Sequence, residues 1–154
     1  MDVSIRERME ADLKDAMRSG DQTARDALRF VLAAFKNAQI DQRGAPLSRD
    51  DELVVLRRQV KQRSESIEMF RAGNRADLVE REEAQLRVVE RYLPPALSDD
   101  DLAELVRDAI AEVGATGLKE MGKVMPVAMA RAGEQADGRR LSAMVRAALS
   151  SGDT

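Results

Sequence analysis

Apolar residues recur along this chain at intervals of three and four, segment after segment, which is the period of a helix face rather than of a strand. Seven such segments can be separated by their stop signals. The side chains suited to a core are Leu, Val, Ile, Met and Ala, because only three Phe, one Tyr and no Trp are present. Those residues, with abundant Glu and Arg, favour helices. The expected class is all-α and multihelical.

The first segment spans about Ser4 to Ser19, with Ile5, Met9, Leu13 and Met17 as its stripe and Gly20 as its stop. Ser4 and Glu7 have capping-box spacing. Ala24, Ala27, Leu28, Val31, Leu32, Phe35 and Ala38 give the second, about Thr23 to Asp41, a wide apolar face before the turn Arg43-Gly44-Ala45-Pro46. The third starts at Ser48, with Asp51 as box partner, and reaches Ala72 before Gly73. Its stripe is Leu53, Leu56, Val60, Ile67 and Phe70, with Arg63 at the one inward position lacking an apolar residue. Asn74 is the expected cap of the fourth, which carries Leu78, Val79, Leu86, Val89 and Leu93; Glu83 and Arg87 have the helix-supporting i,i+4 order.

Pro94-Pro95 makes the clearest boundary, since adjacent prolines stop a helix and stiffen the chain just beyond them. Residues 1–95 are therefore expected to form a four-helix bundle and residues 96–150 a three-helix bundle. Ser98 should cap the fifth helix, with Asp99, Asp100 and Asp101 in its first turn and Leu97 and Leu102 as a hydrophobic staple. Leu105, Val106, Ala109, Ile110 and Val113 continue that stripe to Gly114. A sixth helix covers about Leu118 to Ala132, kinked or delayed by Pro126. Asp137 should cap a seventh carrying Leu141, Met144, Val145, Ala148 and Leu149, with fraying from Ser150.

The formal net charge is −3, so the total does not mark a nucleic-acid binder. The sign is uneven, however. Between Ser98 and Thr116 six acids face Arg107 alone, whereas Gly117 to Leu149 holds six bases (Lys119, Lys123, Arg131, Arg139, Arg140, Arg146) against Glu120, Glu134 and Asp137. Such a segment can bind an anion despite the acidic total. No cysteine is present, which removes disulfides and thiolate chemistry. Met1 to Gly20 has no apolar core of a signal peptide, and the longest apolar run, Phe30 to Phe35, is too short for a bilayer. A cytoplasmic location without membrane contact is the resulting expectation.

Chemistry is scarce. There is no histidine, no Walker A sequence and no Gly-x-Gly-x-x-Gly run, so catalytic residues, cofactor and metal are all expected to be absent. The Asp99–Asp101 triplet is read as capping, and Glu82 and Glu83 as a solvated face. Three clusters stand out. Arg57, Arg58, Lys61 and Arg63 form a purely basic stretch, suited to an anion or simply to water. Met121, Met125 and Met129 lie at i,i+4 spacing, suited to core packing or to an adaptable groove. Arg139 and Arg140 fall in the first turn of the last helix, where unpaired amides favour anions, and Lys119 and Lys123 could extend that cradle.

Val60-Lys61-Gln62-Arg63-Ser64, Ile67, Phe70, Ala72-Gly73 and Asp77-Leu78 resemble the signature region of the YqeY-like proteins. So do Glu90-Arg91-Tyr92-Leu93-Pro94 with Leu97-Ser98, then Met121-Gly122-Lys123-Val124-Met125, then Ala136-Asp137-Gly138. The resemblance implies a four-helix bundle followed by a three-helix one. It also connects the chain with the C-terminal helical and tail region of GatB, a subunit of glutamine-dependent tRNA amidotransferase, a carbon–nitrogen ligase. There the tail binds tRNA, and chemistry occurs in a cradle domain with no counterpart here. Gly122, Lys123, Ala136, Asp137 and Gly138 fall in the tail's recognisable stretch, while Pro126 and Glu134 depart from its pattern.

The leading expectation is a helical tRNA-associated module without its own catalytic site, linked to amidotransferase subunits by resemblance. Its candidate nucleic-acid contacts are Lys119, Gly122, Lys123, Gly138, Arg139 and Arg140, with Arg57, Arg58, Lys61 and Arg63. The scarcity of aromatics argues against stacking along a single strand. The alternatives are a protein-interaction module using the methionine stripe or the arginine-rich third helix, and a stand-alone amidotransferase.

Overall fold

The computed structural model describes residues 3–151. Among them no strand occurs, and the all-α class expected from the sequence is observed. Seven α-helices follow one another among the described residues: α1 Ile5–Ser19, α2 Gln22–Asp41, α3 Arg49–Ala72, α4 Ala76–Glu90, α5 Asp99–Val113, α6 Met121–Ala132 and α7 Gly138–Ser151. Short 3-10 turns occupy Leu118–Glu120 and Gly133–Gln135. The chain divides into two compact units, Met1–Leu93 and Pro94–Thr154, each with its own core.

Side chains that satisfy orphan amides set the helix starts. The Ser4 hydroxyl accepts from the Glu7 amide, Asp21 from Ala24 and Ser98 from Asp101. At Ser48 the box closes both ways, because the Asp51 carboxylate accepts from the Ser48 amide. Asn74 does not cap α4. It adopts φ 56° and ends α3, with its amide donating to the Arg71 carbonyl while the Arg75 amide reaches back to Phe70. That pattern needs a left-handed residue after the helix, and asparagine tolerates the conformation better than most. The start of α4 is consequently left to Arg75, which makes no side-chain cap.

The inward stripes differ from the expected ones where spacing drifts. Steps of four residues advance about 40° around a helix, so Met17 lies about 120° from Ile5. Met17 is accordingly exposed, and Ala16 is buried in its place. In α3 the polar Gln59 and Arg63 are buried while Val60 and Phe70 are half-buried, and in α4 Gln85 and Val88 are buried while Leu86 is half-buried. Glu83 pairs with Arg71 across the α3–α4 turn at 3.2 Å.

Two long-range polar contacts organise the N-terminal unit around Phe35, Ile5, Met9 and Leu56. Glu52 of α3, 3% exposed, accepts from the Arg6 amide at 2.8 Å, placing a carboxylate at the positive end of α1. Tyr92 is buried, donates its hydroxyl hydrogen to Asp12, and has the Arg8 guanidinium over its ring. Burial first, and the Asp12 contact second, hold this phenol above its ordinary pKa.

The C-terminal unit has an aromatic-free core built on Leu102, Val106, Val124, Leu141 and Val145. Leu97 packs against this core, and the Leu97 amide donates to the Gln135 carbonyl at 3.0 Å. The α-helical part of the sixth segment begins at Met121, later than expected and after a 3-10 turn, and runs on through Pro126. The proline ring opposes the carbonyl of Gly122 four residues back, and both residues are exposed, so water can take that carbonyl. α7 is helical through Ser151, and the rest of the tail expected to fray, residues 152–154, lies outside the described residues.

Candidate nucleic-acid interface

The basic residues of the C-terminal unit fall into two groups. Arg131 meets Glu112 of α5 at 2.5 Å, which raises its pKa above the usual value, and Arg140 meets Asp99 at 2.7 Å. Lys119, Lys123, Arg139 and Arg146 are exposed and form no ion pair among the described residues. Lys119 sits on the 3-10 turn, which packs against both α6 and α7; Lys123 lies a helical turn further on in α6, and Arg139 in the first turn of α7. The acid-rich start of α5 thus neutralises Arg140 and leaves its neighbour Arg139 to solvent.

That pairing changes the expected cradle. The Asp137 carboxylate accepts from the Arg140 amide at 2.7 Å, so the amide and the guanidinium of Arg140 both have partners inside the protein. Of the expected cradle, Lys119, Lys123 and Arg139 are the cations that remain exposed without an ion pair among the described residues. Gly122 and Gly138 are exposed, and a Cβ added at either would meet nothing within 4 Å. Neither is needed for packing, and both leave the backbone open to a close approach.

The second cluster does not stay together. Arg58 and Lys61 are exposed and Arg57 is half-buried on α3, but Arg63 turns inward and is only 7% exposed. Its guanidinium donates to Glu82 at 3.1 Å and to Gln85 at 2.7 Å, and lies 5.4 Å from the centre of the Phe30 ring. The inward heptad position dictates this, because a long cation there must find its partners on α4. Arg63 thus belongs to the interior of the N-terminal unit and not to the outer basic surface. The methionine stripe divides as well: Met121 and Met125 pack against the core, and Met129 is exposed.

Sequence reasoning missed Glu52, Gln59 and Gln85, polar residues buried in a helical pair where aliphatic ones were expected. The signal for Glu52 was its place beside Leu53 and one turn before Leu56, inside the inward arc. The Arg140–Asp99 pair joins residues 41 positions apart and has no local signal. Among the described residues no group of three or more acids could hold a metal ion, and no helix is long and apolar enough to cross a membrane.

A family model described as Yqey-like protein matches residues 6–149. The mitochondrial protein named altered inheritance of mitochondria protein 41 is similar in several fungi. That of Pyrenophora tritici-repentis is 37% identical over 136 residues, covering 81% of this chain and 71% of the relative. In Lachancea thermotolerans the identity is 33%, covering 68% of this chain and 57% of the relative. In Eremothecium gossypii it is 35%, covering 62% and 53%. The last two matches span just over half of those relatives' length. These names overturn the expected cytoplasmic location: the relatives are mitochondrial, and the lack of a secretory signal or long apolar run does not distinguish cytoplasm from organelle.

Proposed function

The chain belongs to the YqeY-like family, and from that premise we propose that it is a helical module that associates with structured RNA of the tRNA kind. The observation that carries the proposal is the exposure of Lys119, Lys123 and Arg139, unpaired among the described residues, on a protein whose total charge is −3. A local set of cations with open backbone at Gly122 and Gly138 suits phosphate contact, which positions an RNA without reading its sequence. In this reading the module carries no catalytic site of its own; the chain contains neither His nor Cys, the commonest general base and the thiol nucleophile. Its link to glutamine-dependent amidation is through amidotransferase subunits or their tRNA substrate.

The test is a titration of a folded tRNA, by fluorescence anisotropy, at several salt concentrations. Lys123→Ala with Arg139→Ala should weaken binding to different tRNAs alike. It should also reduce the slope of log affinity against log salt by about one per lost phosphate contact. Arg58→Ala with Lys61→Ala is the control on α3. Equal binding by the Lys123/Arg139 variant, or a larger loss in the α3 variant, refutes the assignment. A protein-interaction role through the methionines is less favoured, because Met121 and Met125 are engaged in the core.

A further inference from the structure

The polar interior of the N-terminal unit opens to solvent. A groove of about 600 Å³ lies between α2, α3 and α4, within the roughly 300–1,000 Å³ typical of ligand sites. Gln59 and Arg63, one turn apart on α3, both line it, and they are 6% and 7% exposed. The Gln59 Oε1 and the Arg63 Nε are buried without a hydrogen-bond partner. Such groups are uncommon in an interior, because each forfeits its hydration without replacement. They are an unpaired acceptor and an unpaired donor on residues one helical turn apart, both of which line the groove. Against them stands Phe30, which is 59% exposed with the Arg63 guanidinium near its ring, and Met69, 74% exposed, stands at the rim.

We propose that this groove binds the uncharged base of one unpaired nucleotide. A nucleobase supplies a flat apolar body for Phe30 and an edge on which donor and acceptor adjoin, matching Gln59 and Arg63. A simple carboxamide could meet the polar pair but leaves the aromatic face unused. A phosphate is unsuited, because Asp26, Glu65 and Glu82 outnumber Arg63 and Arg81 around the groove. The Arg63 charge is already engaged through Nη1 by Glu82 and Gln85, while its Nε–H is buried and has no partner. A single exposed aromatic limits the site to a single base, consistent with a chain too poor in aromatics to stack a strand. The proposal deepens the RNA reading and rests on it for the source of the base.

The experiment uses the full chain and the free nucleosides uridine, guanosine, cytidine and adenosine, followed by NMR. Saturable shifts of the Arg63 Nε–H, the Gln59 side-chain amide and the Phe30 ring are expected. They should be insensitive to salt, because the probes are neutral. Phe30→Ala should weaken binding about tenfold, the loss of one base–aromatic stack, and Gln59→Leu should weaken it too. Tyr92 fluorescence checks that each variant remains folded. Absence of saturable shifts means the groove holds water only and overturns the proposal. Acetamide or inorganic phosphate binding as tightly as the nucleosides overturns it as well, as does unchanged affinity in folded Phe30→Ala. Salt-dependent tRNA binding without nucleoside binding sinks the base site and leaves the phosphate surface standing; nucleoside binding without tRNA binding does the reverse.

Discussion

Replacing Glu52 by alanine should be among the most damaging single changes to the N-terminal unit. The carboxylate is 3% exposed and accepts from the Arg6 amide at 2.8 Å, at the start of α1. A hydrogen bond to a charged group contributes about 1.5–3 kcal/mol, and a charge at a partly buried helix terminus up to about 2 kcal/mol. The two overlap, since both describe one carboxylate at one helix end, so the expected loss is about 2–3 kcal/mol. For a unit of this size that lowers Tm by very roughly 10–20 °C. Glu52→Gln keeps an acceptor and loses the charge, so about half the effect should remain. The assay can be confined to the right unit, because Tyr92 is the only Tyr, no Trp is present, and all three Phe also precede Pro94. Thermal unfolding followed by tyrosine fluorescence therefore reports the N-terminal unit alone. A loss below about 0.5 kcal/mol in Glu52→Ala would refute the reasoning, for it would mean that water replaces the carboxylate without penalty.

Arg63→Ala should destabilise the same unit by about 3 kcal/mol or more, because Glu82 and Gln85 lose their donor, whereas Arg63→Met with Glu82→Leu should lie within about 1.5 kcal/mol of the parent. Urea titration of both variants decides it, and equal losses would show that packing rather than the polar network matters. Tyr92 holds its proton above the ordinary phenol pKa, so the unfolded chain releases its proton first as pH rises. Stability is then fully present below about pH 10 and falls above it, by at most about 1.4 kcal/mol per pH unit from this group. In Tyr92→Phe, whose unfolding must be followed by circular dichroism, that part of the alkaline decline should vanish; an unchanged slope would refute it. Gly114 closes α5 at φ 75°, where a Cβ is strained, so Gly114→Ala should lower the stability of the C-terminal unit by about 1–2 kcal/mol in far-UV circular dichroism.

The helices were legible because their determinants are local. Ser48 with Asp51, Ser98 before three aspartates, and Gly114 after Val113 each act within one helical turn, and each does in the structure what the spacing indicates. Asn74 shows the limit of that reading. Two helix ends compete for one residue, and the choice between capping α4 and closing α3 depends on how tightly the chain must turn between them. Met17 shows another limit: a visually regular four-residue spacing drifts around the helix, and the drift decides burial once the stripe passes about three turns.

The candidate interface was less legible, because a charge count along the chain ignores which charges meet in space. Six bases between Gly117 and Leu149 make that segment look uniformly attractive to anions. Folding brings Glu112 to Arg131 and Asp99 to Arg140, and the remaining field belongs to Lys119, Lys123, Arg139 and Arg146. The α3 stretch is divided differently. Arg63 points into the bundle while Arg58 and Lys61 face water, and no property of an arginine in isolation separates them. The gap in the apolar heptad at position 63 did separate them, and it was the one sequence sign that a cation had been drawn inside. Once there, Arg63 required Glu82 and Gln85 from α4, and its buried, unpartnered Nε–H with the Gln59 Oε1 left the groove polar at its base. The same placement that removes Arg63 from the exposed basic face of α3 thus supplies the polar floor of the base site proposed for the N-terminal unit.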